Sequence, residues 1–396
     1  MHLARRTISL IAIAFLVAAC GGGGSAAQPE PPPAPVTVDY RVPFSTGDGW
    51  EVAHLADNGF DVAIMQDMLD RIVDGTYDGI DGVAVARYGK LVLYENFRDE
   101  LDEFDPWIGN NILARHILHS TSKSVTSALI GIAIDQGYIE STDVSFYGLF
   151  NYTAYENWDA RKDAMTLEDA LTMRLGFEWD EWTVPYGSKG NDLHDLTENN
   201  GDYALALLNM PLSHAPGTIY AYNTAATIAI GQALEHSVGM PMDDFADTYL
   251  FEPLQIFDAD WGETIYGLPN GGSGLFLAPR DMLKFGQLFI SGGVWNGQQV
   301  ISQDWVDRSV ARHVDLDWNW TSGYGYQWWR GKFMHPDGTR QMETWSTRGY
   351  GGQYIFCIPE LQLVIAFTGR NYGVAGSDYG FALTQDFILR AITDAS

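Results

Sequence analysis

A serine and a lysine three positions apart, Ser120 and Lys123, stand at the head of a long apolar stretch in His119-Ser120-Thr121-Ser122-Lys123-Ser124. Residues three apart on a helix share a face, so the two side chains can meet. A serine hydroxyl attacks a carbonyl only when a base removes its proton, and a neutral lysine amine is such a base. At the ordinary lysine pKa of about 10.4, only a few amines in ten thousand are neutral at pH 7. Burial lowers that value by up to several units, because a poorly polarisable surrounding penalises the charged form. The free N–H groups of a helix start also favour negative charge on the serine oxygen and on a developing oxyanion. Alone, the motif has a plainer reading: Ser120 or Ser122 caps the helix and Lys123 lies on the surface.

Other chemistry-bearing residues are less compelling. His116 and His119 form H-x-x-H without an evident third ligand, so metal is not expected. His119 adjoins Ser120, but neighbours on a helix do not face each other. Gly271-Gly272-Ser273-Gly274 lacks the last glycine of a nucleophile elbow and reads as a turn. Cys357 falls in an apolar run and reads as an inert core residue.

Several elements must position these residues. Apolar spacing at Val62, Met65, Met68, Leu69 and Ile72 predicts a helix over 60–73. Val83–Ala86 and Leu91–Tyr94 read as strands joined by Tyr88-Gly89-Lys90, and Ser120–Asp135 reads as a helix stopped by Gly137. The middle of the chain is helical in pattern with few strand runs. Tyr354–Ile358 and Leu363–Phe367 flank Pro359-Glu360 as a hairpin, and Phe381–Ile392 reads as a closing helix. The pattern predicts an α/β (α+β) fold: one antiparallel sheet built from both chain ends, flanked by helices, with a mainly helical lobe inserted.

The chain has 396 residues, with 23 Lys plus Arg against 51 Asp plus Glu, a formal net charge of -28. Such a surface repels phosphate backbones, and no basic patch offsets it, so nucleic-acid binding is not expected. Two cysteines, Cys20 and Cys357, exclude a disulfide framework. Residues 1–19 carry Arg5 and Arg6 ahead of an apolar run too short to span a bilayer, the pattern of a signal peptide. Val17-Ala18-Ala19-Cys20 resembles a bacterial lipobox, which makes Cys20 the expected lipidation site and the cell envelope the expected location, extracytoplasmic and on the periplasmic side. Residues 20–38, rich in Gly and Pro, read as a flexible tether. The folded domain is expected over 39–396, with an α/β part over 39–144 and 265–396 and a helical lobe over 145–264.

With its surroundings, the chain resembles the serine β-lactamase-like hydrolases: class C β-lactamases, D-alanyl-D-alanine carboxypeptidases and related esterases and amidases. It is most similar to the branch containing 6-aminohexanoate-oligomer hydrolases. The resemblance rests on Ser120–Lys123 followed in order by Leu167–Met173, Gly176–Trp179, Pro216–Thr218, Tyr222-Asn223-Thr224, Leu250–Leu254, Arg280–Gly286 and Gly349–Gln353. It implies Ser120 as nucleophile, Lys123 as base and Tyr222 as a second proton-handling group, with Tyr220 as an aromatic neighbour of structural role. It implies backbone N–H groups of Ser120 and Gln353 as oxyanion donors, and substrate contacts from Thr224, Tyr350, Gly351 and Gly352. It places Trp179, Trp182, Tyr186 and Asn191 in a variable, substrate-facing region, as pocket walls or, the favoured reading, as packing residues.

One departure matters. The lysine of the family's K-T-G strand is missing, and the corresponding stretch looks like Tyr350-Gly351-Gly352, with Arg348 as the nearest replacement cation. The resemblance therefore implies an enzyme that cleaves small esters or amides through an acyl-enzyme, without metal or organic cofactor. A penicillin-binding carboxypeptidase or β-lactamase is the alternative, and a non-catalytic, surface-tethered binding module on the same scaffold is a further one.

Overall fold

The computed structural model describes residues 38–199, 201–373 and 379–394. The expected signal peptide, Cys20 and nearly all of the expected tether lie outside the described residues. No helix of the described residues is long and apolar enough to cross a membrane.

A nine-stranded sheet forms the frame. Its strands are β1 (Glu51–Val52), β2 (Ile80–Arg87), β3 (Lys90–Asn96), β4 (Val314–Trp318), β5 (Thr321–Tyr324), β6 (Trp329–Met334), β7 (Gln341–Gly349), β8 (Gln353–Ile358) and β9 (Leu363–Gly369). In space they run β1-β3-β2-β9-β8-β7-β6-β5-β4. Only β1 pairs in parallel. The two ends of the chain meet at the β2–β9 ladder, where Val85 opposes Ile365. The fold is thus α/β with a central, mostly antiparallel sheet, as the sequence predicts. Strands β4 to β7 are not predicted, and they supply almost half of the sheet.

Both faces of the central strands are buried, which explains their unbroken apolar runs. Val83, Val85, Phe356, Ile365 and Phe367 face helix α1 (Val62–Val73) and the C-terminal segment from Tyr379 to Ile392. Ala84, Ala86, Ile355, Cys357, Val364 and Ala366 face the larger core, with α2 (Ser122–Asp135), α3 (Thr224–Val238) and α4 (Pro279–Ile290). Small side chains on that face let α4 approach closely. A Cβ on Gly286 of α4 would come within 2.5 Å of Val364, so glycine is required there.

Helix α2 is buried from Ser122 through Ala133, as expected of a helix that is apolar on almost every side. Ser122, Ser124 and Thr126 near its N-terminus are bonded. Ser122 Oγ accepts from the Leu275 amide, Ser124 Oγ donates to the Gln327 carbonyl at 2.6 Å, and Thr126 donates to Gly271 at 2.8 Å. These bonds lock the start of α2 to loops 150 to 200 residues away in sequence. The segment between α2 and Leu275 contains mainly helices, with α3 the longest.

Candidate active site

Ser120 lies one turn ahead of α2, in a short 3-10 turn, His119–Thr121. This corrects the expectation that α2 itself starts at Ser120. The turn follows a two-residue strand, His116–Ile117, which pairs with Leu275–Leu277. The corner between them is sharp: His119 has φ 46°, a left-handed conformation unusual for a residue with a side chain. Its ring packs edge-on against Phe104, Tyr350 and Tyr372, at centroid distances of 4.7, 5.7 and 5.6 Å. Burial pushes the His119 imidazole down to about 3, with His116 and Lys123 adding to the effect, so the ring is uncharged near neutrality. The aromatic cage holds the corner that presents Ser120.

The other side of the turn is pinned to the sheet. Thr121 donates to the Gln353 carbonyl at 3.2 Å, and Thr347 of β7 donates to Thr121 Oγ1 at 3.1 Å. A Cβ at Gly349, the last residue of β7, would lie 2.1 Å from the Leu118 carbonyl oxygen. Only glycine lets the strand and the turn carrying Ser120 come so close.

Lys123 is 1% exposed. That removes the surface-lysine reading, and Ser122 and Ser120 are not helix caps: the cap position, Thr121, makes no side-chain cap bond. Lys123 Nζ donates to Ser120 Oγ at 3.0 Å and to the Gly272 carbonyl at 2.7 Å. Among the described residues no carboxylate lies within ion-pair distance of it. Burial lowers its pKa to about 8, with the more distant Glu181 charge pulling the other way. A neutral amine in this place can still donate to Gly272 while its lone pair faces the serine hydroxyl.

Tyr222 completes the group. Its ring is stacked between Trp182 (5.1 Å) and Trp329 (5.6 Å), and Lys123 Nζ lies 5.1 Å from the ring centre. Burial, then the Glu181 charge, pushes the phenol far above its ordinary pKa; a hydrogen bond with Ser120 opposes them. Tyr222 is therefore a neutral phenol that can pass a proton. Tyr220 packs on Tyr324 and Trp318, away from Lys123. Asn223 caps α3 through the Ala226 amide at 2.8 Å, which fixes the corner carrying Tyr222.

The expected substrate contacts fare unevenly. Tyr350 is 39% exposed and packs against Tyr186 at 5.9 Å between centroids and against the His119 ring at 5.7 Å. Tyr350, Gly351 and Gly352 form the turn between β7 and β8 rather than a strand edge. Thr224 is buried, and both its amide and its hydroxyl are bonded to Glu181. Gln353 is buried at the start of β8, where its side chain bonds Gly369 in both directions. Asn191 is also buried and pins the loop through the Glu181 and Val184 carbonyls, so it does not line the cleft. Trp182 and Tyr186 are exposed, whereas Trp179 is half-buried and donates to Glu181.

Arg348, the nearest cation to the stretch that lacks the lysine, is held by its own neighbours. Its guanidinium lies over the Trp329 and Phe381 rings, at 5.0 and 4.8 Å, and donates to Ser346, Thr321 and the Trp320 carbonyl. His116 faces Asp81 at 2.9 Å and the Ile117 carbonyl at 3.0 Å, apart from the cage around His119. Cys357 is buried, and burial raises its thiol pKa. A groove of about 940 Å³ along β4 to β6 is lined by residues such as Arg312, Asp315, Trp320 and Lys332 and contains none of Ser120, Lys123 or Tyr222.

Two contributors escape the sequence reading. Gly272 acts through its carbonyl, and Glu181 is a buried acid; neither carries a local pattern that would single it out.

The beta-lactamase family model matches residues 69–380. The chain belongs to that family. It is 28% identical over 238 residues to the 6-aminohexanoate-dimer hydrolase of Paenarthrobacter ureafaciens, a match covering 54% of this chain and 57% of that protein. The chain thus spans little more than half the length of that curated relative. In fold it is similar to EstCE1, a hydrolase with promiscuous acyltransferase activity (TM-score 0.63, 14% identity, 83% of this chain and 97% of that one). It is likewise similar to a D-stereospecific amidohydrolase from Streptomyces sp. (TM-score 0.59, 13% identity, 82% and 98%). The chain is a member of the β-lactamase-like hydrolase superfamily.

Proposed function

We propose that the enzyme hydrolyses small esters or amides through an acyl-enzyme on Ser120. The observation that carries this reading is the buried Lys123 amine, 3.0 Å from Ser120 Oγ and without a carboxylate in contact. Lys123 accepts the serine proton as Oγ attacks the carbonyl carbon. The oxyanion is held by backbone N–H groups, those of Ser120 and Gln353. Tyr222, a neutral phenol in reach of Ser120, gives a proton to the departing alcohol or amine and regains one from Lys123. Water then attacks the acyl carbonyl, the same groups handle its proton, and Ser120 is released. These steps need no metal or organic cofactor.

Substrates without a carboxylate fit best. Arg348 is committed to Thr321, Ser346 and two aromatic rings, and the cleft mouth is lined by Trp182, Tyr186 and Tyr350. Uncharged acyl and leaving groups suit such walls.

Intact-mass spectrometry after brief exposure to a mixed ester, amide and β-lactam panel tests the proposal. An acyl increment from an ester or amide is expected on the native enzyme, and none on Ser120→Ala, which should also lose p-nitrophenyl ester turnover. An increment that persists in Ser120→Ala sinks the assignment. A stable adduct from the β-lactam alone favours the penicillin-binding alternative.

A further inference from the structure

Glu181 is 2% exposed and accepts four hydrogen bonds. Trp179 Nε1 (2.9 Å) and the Thr224 amide (2.7 Å) donate to Oε2; the Tyr186 hydroxyl (2.9 Å) and the Thr224 hydroxyl (2.6 Å) donate to Oε1. Its own carbonyl accepts from Asn191 at 2.9 Å. The three side-chain donors come from two separate segments of the chain. Trp179 and Tyr186 belong to the loop that also carries Trp182, the ring stacked on Tyr222. Thr224 begins α3, two residues after Tyr222.

We infer that Glu181 is a positioning residue for the hydrolysis, tying the aromatic loop to the Tyr222–Thr224 corner that packs against Lys123. The inference rests on the reading of Lys123 as the group that takes the serine proton. Burial alone weakens the amine, since the ammonium formed after proton transfer is poorly solvated. A fixed carboxylate nearby favours that ammonium and restores part of the basicity. The other groups facing Lys123 do not compete in this role. Ser120 and Tyr222 are neutral, His119 is uncharged above about pH 3, and Gly272 offers only a carbonyl dipole. Arg348 acts on Tyr222 rather than on Lys123. Satisfying all four carboxylate lone-pair directions is also what makes a buried acid tolerable here.

The test follows the rate of Ser120 labelling by a fluorophosphonate probe from pH 5.5 to 10, with native mass confirming the site. In the native enzyme the rate should climb tenfold per pH unit and level near the Lys123 pKa of about 8. Glu181→Gln should move that limb to lower pH by about one unit and lower the plateau, because the amine loses its anionic partner. Tyr186→Phe removes one donor from the carboxylate, leaves its charge less neutralised, and should move the limb a few tenths of a unit upward. Tyr186 is exposed, so this variant remains informative even where Glu181→Gln does not fold. Glu181→Asp, which retains the charge, should keep the limb near its native position while lowering the rate. A lower rate with an unmoved limb in both Glu181→Gln and Tyr186→Phe would show a merely structural acid and overturn the inference. A native profile without any limb near pH 8 would instead overturn the lysine-base reading, and this inference with it.

Discussion

Lys123 and Lys284 are equally buried, and they illustrate opposite uses of a lysine in a protein interior. Lys284, on α4, is fully enclosed and pairs with Asp281 at 2.8 Å and Asp48 at 3.6 Å, with the Gln255 carbonyl at 2.7 Å. Asp48 is in turn held by Arg280, and despite burial the two cations keep its carboxyl well below the ordinary range. Lys123 has a carbonyl and a serine hydroxyl but no carboxylate in contact. A buried charge is tolerated when it is paired; left unpaired, it sheds its proton more easily. The first arrangement holds α4 to the N-terminal segment, and the second leaves a readily deprotonated amine beside the Ser120 hydroxyl.

Exchanging each lysine for methionine should separate the two roles. Lys123→Met is expected to lower kcat/KM on a p-nitrophenyl ester by at least about a thousandfold, the range for loss of a general base that also activates the nucleophile. Its stability should not fall. A pKa lowered from 10.5 to about 8 means the native state disfavours the ammonium, worth roughly 3 kcal/mol by the usual conversion. Removing the amine relieves that penalty but leaves the Gly272 carbonyl without its donor, at about 1–3 kcal/mol. Urea unfolding at pH 7 should therefore show the variant unchanged or up to about 2 kcal/mol more stable. The sign depends on pH. Between about 8 and 10.5 the unfolded native sequence binds the proton that the folded one has lost, so native stability rises there and the variant's advantage shrinks.

Lys284→Met should do the reverse. It strands Asp281, whose carboxyl burial already pushes upward, and deprives Asp48 of one partner. A loss of about 3 kcal/mol is expected in urea unfolding, from the lower end of the range for breaking a buried pair, because both acids are partly exposed. Below the unfolding transition kcat should be unchanged, since α4 contributes no side chain to the group around Ser120. A stable Lys284→Met enzyme, or a strongly destabilised Lys123→Met enzyme, breaks the comparison.

The same contrast explains what could be read from the sequence. Ser120 and Lys123 are local: their spacing within one turn puts them together whatever the rest of the chain does. Tyr222 is distant, but the family's motif order marks it. Glu181 and Gly272 become neighbours of the site only through tertiary structure, and the Lys123–Gly272 bond spans 149 residues. The central strands β2, β8 and β9 declare themselves by apolar runs buried on both faces. Strand β7 does not, because its buried positions include the polar residues Thr344, Ser346 and Thr347, the last two hydrogen-bonded to Arg348 and Thr121. Thr224 was expected at the substrate from the motif, yet a buried acid from another loop occupies its hydroxyl. A motif reports which residue types recur, not which partner each one meets.

Lys162 sharpens the comparison because it falls between the two. It is fully buried, donates to the Leu208 carbonyl at 2.8 Å, and lies over the Tyr147 and Phe177 rings at 5.8 and 5.6 Å. Burial lowers its pKa, and the Asp159 charge partly opposes this. It therefore resembles Lys123 in lacking a close carboxylate, but no serine stands at its Nζ. If an unpaired buried amine is sufficient for activity, Lys162 should contribute; if the neighbouring hydroxyl is what matters, it should not. Lys162→Met is expected to leave ester turnover within twofold of native. Its stability should change by less than about 1 kcal/mol, because the lost carbonyl and cation–π contacts offset the relieved desolvation. Stopped-flow acylation and urea unfolding on the one variant measure both. A large loss of turnover would mean that the helical segment carrying Lys162 acts on Ser120 at a distance, and that an amine's burial and its contact with the nucleophile are not separable in this fold.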